Sequence, residues 1–571
     1  MPNLKSAFCH SVPQLTLLSS VMLISLLEFR PKKSGLRFWW PSTLFPLTAC
    51  AFFFLAGMAF IPRLGMYNDE ALFAWPWYQP RGELFALHVG HTRLPLMLIN
   101  YLGTLKSWIY RPIFRWFGTG VPVTRIPALL AGVASLWLFY LLLRRVAGAR
   151  AANIGCGLLA ADAIYLLTSC FDWGPVALQH LLLVGGLLSL VRFWQERREL
   201  LLAAGFFLLG LAAWDKALAV WSLSGFGVAA LITLPRQIRE VWTTRRLGVA
   251  AAGFALGALP LIVYNVDTGL GTFQGTVVYE ANRLPTKVFE MTATFNGSGL
   301  FGWMTANERN TPRPHAPQGW FENASANLAS VAGNPHESLL LYAFGAALLL
   351  APLARGPDLR AIGFALITMA VAWCQMLFTA NAGAAIHHTI LLWPLPLLVI
   401  GVSFASASRR LGRAGVPVLA VVLVVVTGSG LAVMNQYYAE MVQYGGAQSW
   451  SDSIYRLSDY LKGMSAPAMF CVDWGILDSL RVLNHGKLPL LNLELPGDDS
   501  SPEARQYMVK MIATPANIFL AHTPSMEFTA GADARLSKFA DTAGYRPDML
   551  TVISDSYGRP SLEVYRFLPS R

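Results

Sequence analysis

The chain has 571 residues, 54% of them hydrophobic and only 13% charged, against roughly 25% charged in soluble domains. Its net charge of +12 would point to nucleic acid in a soluble protein. Here much of the excess lies in short loops between apolar runs, where it sets membrane orientation, so no nucleic-acid partner is expected. The six cysteines, Cys9, Cys50, Cys156, Cys170, Cys374 and Cys471, contain no CxxC pair. They read as small packed hydrophobes and offer no disulfide framework.

Residues 11–29 are moderately apolar but interrupted by Pro13 and Glu28, and are compatible with an extra span, an uncleaved signal-like segment or an extension upstream of the true start. A basic stretch at 30–37 follows and reads as cytoplasmic. The first clear span is 42–61. Its far end opens into a loop, 63–120, placed outside. Further apolar runs are 121–143, ending at Arg144-Arg145; 151–168, emerging at Asp172; 176–191, returning to Arg192, Arg197 and Arg198; and 200–213, emerging at Asp215-Lys216. A sixth returns to Arg236, Arg239, Arg245 and Arg246. A seventh, 248–263, emerges at Asp267, and a polar external segment, 267–338, follows. The eighth ends at Arg355 and Arg360. The ninth, 362–378, emerges before His387-His388. The tenth returns to Arg409, Arg410 and Arg413, and the eleventh is 416–434. Every inside turn carries Lys or Arg.

Within the first loop, residues 93–117 interleave Lys106, Arg111 and Arg115 with Trp108, Tyr110 and Trp116, which suits helices lying in the outer interface. From 437 the composition is that of a soluble domain. Strands are expected at 468–472, 488–493 and 518–521, a hairpin at 550–567, and helices after 450, after 472 and from about 502. The expected organisation is thus an N-terminal segment (1–41), a polytopic α-helical membrane domain of about eleven to twelve spans (42–436), and an extracytoplasmic α/β domain (437–571).

This arrangement puts Asp69-Glu70, Asp172, Asp215-Lys216, Asp267 and His387-His388 at one face of the membrane. Paired carboxylates just outside a bilayer can take a proton from a hydroxyl, bind a divalent cation or bind a sugar, or merely solvate a loop. His91 and Arg93 can contact an anionic phosphate or anchor the interface. Asp172 suits a helix cap, with Pro175 in the first turn, or a substrate contact. Asp215-Lys216 suits an internal ion pair, or offers Lys216 to a lipid phosphate. Paired histidines entering a span are costly unless used, so His387 and His388 read as phosphate or acceptor contacts. A metal role needs more ligands than the pattern supplies.

With these residues in place, the chain resembles C-type-fold (GT-C) glycosyltransferases of the protein O-mannosyltransferase and aminoarabinose-transferase kind (family 39). Asp69-Glu70 in the first external loop matches the family's acidic pair. Gly90-His91-Thr92-Arg93-Leu94-Pro95-Leu96 is similar to its His-Pro-Pro-Leu stretch opening juxtamembrane helices, although Thr92-Arg93 replaces the commoner first proline. The eleven-span layout with an external tail agrees, and the resemblance covers about 42–434. It implies a polyprenyl-phosphate sugar donor, an acceptor hydroxyl on a lipid, glycan or protein, and Asp69 as general base. Positive groups would stabilise the departing phosphate, and Lys216, Arg93 and His388 are the candidates in this sequence. No cofactor is implied, and a divalent metal is not required by the resemblance. The expected location is a bacterial inner (plasma) membrane with the site outside. The competing readings are a secondary transporter, whose charges would sit near the midplane in repeated halves, and a non-catalytic envelope assembly protein.

Overall fold

The computed structural model describes residues 40–78, 82–274, 278–380, 382–493 and 501–570, with side chains from residue 44. The segment considered as an extra span, 11–29, and the basic stretch after it lie outside the described residues.

A helix or bent helix pair occupies each of the eleven apolar stretches. They are Trp40–Phe60, Val121–Ala147, Ala149–Ala160 with Ala163–Cys170, Val176–Glu196, Glu199–Asp215, Ala219–Thr233 with Pro235–Val241, Thr244–Gly257 with Leu259–Asp267, Leu340–Leu350, Pro357–Phe378, Ile386–Leu392 with Leu395–Arg410, and Gly415–Tyr444. By length and composition four of these could cross a membrane unbroken, or up to eight if each bent pair is one span; Leu44–Phe60 and Leu340–Leu353 are apolar but shorter. The breaks have local causes. Proline opens Pro235–Val241, where its missing N–H is harmless. At the 62° bend before Ala163–Cys170, the Asp162 carboxylate accepts the Tyr165 amide at 3.0 Å and caps the second half.

The first loop differs from expectation. Residues 93–99 are not helical. A hairpin forms from β1 (Phe85–Val89) and β2 (Thr92–Ile99), with β3 (Leu102–Gly103) alongside, and within 93–117 the helix is Leu105–Phe117. Gly90 turns the chain at φ +60°, and Leu94, Leu96 and Leu98 repeat with the period of a strand. Among the described residues, the segment 267–338 holds the α-helices Leu284–Asn296 and Gly319–Val331 and the short 3-10 helix Glu308–Asn310.

The C-terminal part is a five-stranded sheet of β4 (Met469–Cys471), β5 (Leu490–Asn492), β6 (Ile518–His522), β7 (Tyr545–Ser554) and β8 (Pro560–Pro569), in the order β5-β4-β6-β8-β7. β5, β4 and β6 are parallel, and β8 and β7 add antiparallel. Both faces are covered, as parallel strands require. Met469 and Cys471 pack with Ile454, Leu457, Leu461 and Leu480 on one face, while Phe470 and Val472 pack with Met508, Ile512 and Leu536 on the other. The helix Ala532–Thr542, absent from the sequence reading, supplies part of that second layer. The helix Gly415–Tyr444 runs unbroken through residue 437.

Candidate active site

The loop after the first helix carries a four-residue helix, Asn68–Ala71. Its two acids have different surroundings. Glu70 is buried, and its carboxylate accepts the Tyr67 amide at 2.8 Å. It also takes both prongs of Arg125, Nη2 to Oε1 at 2.6 Å and Nε to Oε2 at 2.9 Å. Arg125, from Val121–Ala147, donates further to the carbonyls of Ile61 (2.6 Å), Leu64 (3.0 Å) and Gly65 (2.7 Å). A guanidinium fork suits this bidentate pairing. Glu70 is therefore fully engaged as a structural anchor.

Asp69 makes none of these bonds and keeps some exposed surface. Burial raises its carboxyl from 3.8 to about 6, with Lys216 and Lys106 pulling the other way. Lys216 follows Glu199–Asp215 and is 2% exposed. Burial pushes its ammonium down to about 8, opposed by Asp69, Asp215 and Asp172. Lys106, in Leu105–Phe117, pairs with Asp172 at 2.9 Å and donates to its carbonyl at 3.3 Å. The other Asp172 oxygen accepts the Ala177 amide at 3.0 Å, so Asp172 caps the next helix as well as holding Lys106. Asp215 is buried, and neither of its carboxyl oxygens accepts a hydrogen bond among the described residues.

Gly174, at φ +71°, brings the backbone close to this group. A Cβ there would stand 3.3 Å from Lys216 Nζ and 4.0 Å from His387 Cδ2. The His387 ring lies 4.2 Å from that of His388 and 5.8 Å from Trp173, and His388 lies 6.3 Å from Trp221. The structure thus gathers Asp69, Lys106, Asp172, Asp215, Lys216 and His387 from five stretches of chain.

Other expected site residues stand apart. Arg93 pairs with Glu83 at 2.8 Å, and His91 is exposed at the hairpin turn. Neither shares a hydrogen bond or ion pair with Asp69, Lys106, Asp172 or Lys216 among the described residues. Asp267 is exposed at the end of its helix. Among the described residues no three His, Cys, Asp or Glu side chains gather as a metal site. The cysteines described are free, and all but Cys374 are buried.

Sequence reading missed Lys106 and Arg125 as site residues. Arg125 had a signal: a charged residue inside the opening of an apolar run needs a partner. Lys106 was hidden among neighbouring basic residues.

Residues 104–264 match the family model described as dolichyl-phosphate-mannose-protein mannosyltransferase. That stretch contains Lys106, Arg125, Asp172 and Lys216. In structure the chain is similar to ArnT from Cupriavidus metallidurans bound to undecaprenyl phosphate, with 12% identity, 91% of this chain and 97% of that chain covered, and a TM-score of 0.55. The apo state of the same protein gives 13% identity, the same coverage and a TM-score of 0.50. No curated protein matches the chain. The sequence match within the helical part and the fold over most of the length make this chain a GT-C-fold membrane glycosyltransferase, similar to family 39.

Proposed function

We propose that the protein transfers a sugar from a polyprenyl-phosphate donor to the hydroxyl of an external lipid, glycan or protein, with Asp69 as general base. The observation that carries this reading is the separation of roles in Asp69-Glu70. One acid is locked to Arg125, while its neighbour accepts no side-chain hydrogen bond among the described residues and stands near Lys216 with its pKa raised toward neutrality. A base works best with a pKa near the operating pH. Asp69 takes the acceptor proton, the acceptor oxygen attacks the anomeric carbon, and the bond from that carbon to the phosphate oxygen breaks. The departing phosphate gains negative charge, which Lys216 stabilises and the His387-His388 pair contacts. Lys106 and Asp172 hold the floor of the site. The ArnT structure similar to this chain contains undecaprenyl phosphate, which supports the donor class.

In this reading residues 42–436 form the membrane catalytic part, with about eleven spans. The cluster and residues 437–571 lie on the outer side of a bacterial inner membrane. The reading is tested by incubating membranes containing the wild-type protein with labelled polyprenyl-phosphate sugars. Label should pass to an acceptor with wild type and not with Asp69→Asn. Equal transfer by both proteins refutes Asp69 as the base.

A further inference from the structure

The stretch just before Asp69 is bound, residue by residue, by the C-terminal sheet unit. The Tyr455 hydroxyl donates to the Leu64 carbonyl at 2.9 Å. The Gly65 amide donates to the Trp450 carbonyl at 2.8 Å. The Ser479 hydroxyl donates to the Met66 carbonyl at 2.8 Å. The Tyr67 ring stacks on Trp450 at 4.4 Å and 11° and meets the edge of Trp474 at 5.3 Å. The Asp478 amide donates to Asn68 Oδ1 at 3.1 Å. Beyond the short helix, the Trp75 indole donates to the Asp478 carboxylate, which also takes Arg481 at 3.1 Å.

Polar groups of four of the five residues from Leu64 to Asn68 thus meet partners more than 380 residues away in sequence. From the opposite side Arg125 holds Ile61, Leu64, Gly65 and Glu70. Between these two grips, the Asp69 side chain takes part in none of these bonds among the described residues. Several of the partners are buried, Trp450 at 1% and Ser479 at 0% exposure, so these bonds have little competition from water. A general base must reach its proton within about 2.6–3.2 Å, and a misplacement of about 1 Å costs roughly a hundredfold in rate.

We propose that the C-terminal sheet unit is a clamp on the catalytic loop, with Ser479, Asn68 and Trp450 as positioning residues that fix the direction in which Asp69 points. The proposal rests on Asp69 acting as the base. It gives the sheet unit a part in the transfer step itself, separate from any part in binding the acceptor.

The test uses full-length protein in lipid nanodiscs. Ser479→Ala alone, and Asn68→Ala with Ser479→Ala, are compared with wild type by amide hydrogen exchange and by transfer from the labelled donor. Each lost bond should speed exchange at residues 64–71 by about tenfold, the scale of one buried hydrogen bond. Exchange in Val121–Ala147 should stay at the wild-type rate. Turnover should fall by about tenfold or more in the double variant with donor KM within about twofold, because the loss falls on the transition state. Ser479→Thr, which keeps the hydroxyl, should recover most of the turnover.

Unchanged exchange at 64–71 overturns the clamp. Faster exchange there with undiminished turnover overturns the positioning role. Exchange that rises equally in Val121–Ala147 marks general loosening and also counts against it; the milder Ser479→Ala guards against reading a misfolded double variant. If wild type itself transfers nothing, the assigned function fails, and the exchange data still decide whether the clamp exists.

Discussion

The Arg125 guanidinium and the Glu70 carboxylate form a two-pronged pair at 2.6 and 2.9 Å, with side-chain exposures of 0% and 1%. The pair ties the loop after the first helix to the helix Val121–Ala147. Removing one partner leaves a buried charge uncompensated, which costs about 3–5 kcal/mol. Arg125→Ala and Glu70→Ala should each lower the melting temperature in detergent markedly, and Arg125→Lys should recover only part of it, since lysine lacks the fork. Melting curves unchanged from wild type would show that the pair does not anchor the loop.

Asp69 should separate from Glu70 in kinetics. Asp69→Asn keeps shape and removes the proposed base, so it should abolish transfer while leaving melting and donor affinity near wild type. Glu70→Gln should lower stability first and turnover through it. Single-turnover rates alongside melting curves distinguish the two patterns.

The pH profile follows from two groups. Asp69, raised from 3.8 to about 6, must be deprotonated to act, so turnover should climb with pH through about 6. Lys216, lowered from 10.5 to about 8, must be protonated to stabilise phosphate, so turnover should decline above about 8. The result is a bell. The sign for stability is opposite to that of a salt-bridged acid. The folded state binds the Asp69 proton more tightly than the unfolded chain, so its contribution weakens as pH rises from about 4 to 6. Asp69→Asn should remove the rising limb from the profile of any residual activity. Its persistence would assign that limb to another group.

Gly174 is needed at its position for two reasons. Its φ of +71° disfavours any side chain, and a Cβ would press on Lys216 Nζ from 3.3 Å. Gly174→Ala should therefore weaken donor use, as Lys216→Ala does, at little change in acceptor use. Donor titrations check this, and an unchanged apparent donor affinity in both variants would remove Lys216 from the phosphate site.

Orientation is tested with single cysteines at Ser525 and Arg198, both exposed, in a background where the exposed Cys374 is replaced. A membrane-impermeant maleimide added to intact cells should label the first and not the second. Labelling at 198 would put the cluster on the opposite side.

The helices at the eleven apolar stretches were legible because long apolar runs bounded by basic turns have few other readings. The strands at 469–471 and 518–522 were legible as short apolar runs between turn residues. The hairpin at 85–99 was not, because Leu94, Leu96 and Leu98 sit in a stretch whose Arg and Trp residues equally suit an interfacial helix. The approach of Asp69, Lys216 and His387 was visible only as a shared membrane face. The pairs Lys106–Asp172 and Arg125–Glu70 join residues 66 and 55 positions apart, and such separations leave no local pattern. The helix Ala532–Thr542 is short and polar, so its one buried stripe was too weak to read.

The helix Gly415–Tyr444 has 30 residues, about 45 Å at 1.5 Å each, against a hydrocarbon core of about 30 Å. Its last turns therefore act as a rigid pedestal whose pitch sets the angular register of the sheet against the first loop. One residue inserted between Gln436 and Tyr444 would advance the sheet by about 1.5 Å and turn it by roughly 100°. Trp450 would then face away from Tyr67, with both parts still intact. Seven inserted residues would bring the helix back to nearly the same azimuth but advance the sheet by about 10.5 Å, so they too should part Trp450 from Tyr67, and loss of the transfer activity in both insertion variants checks this.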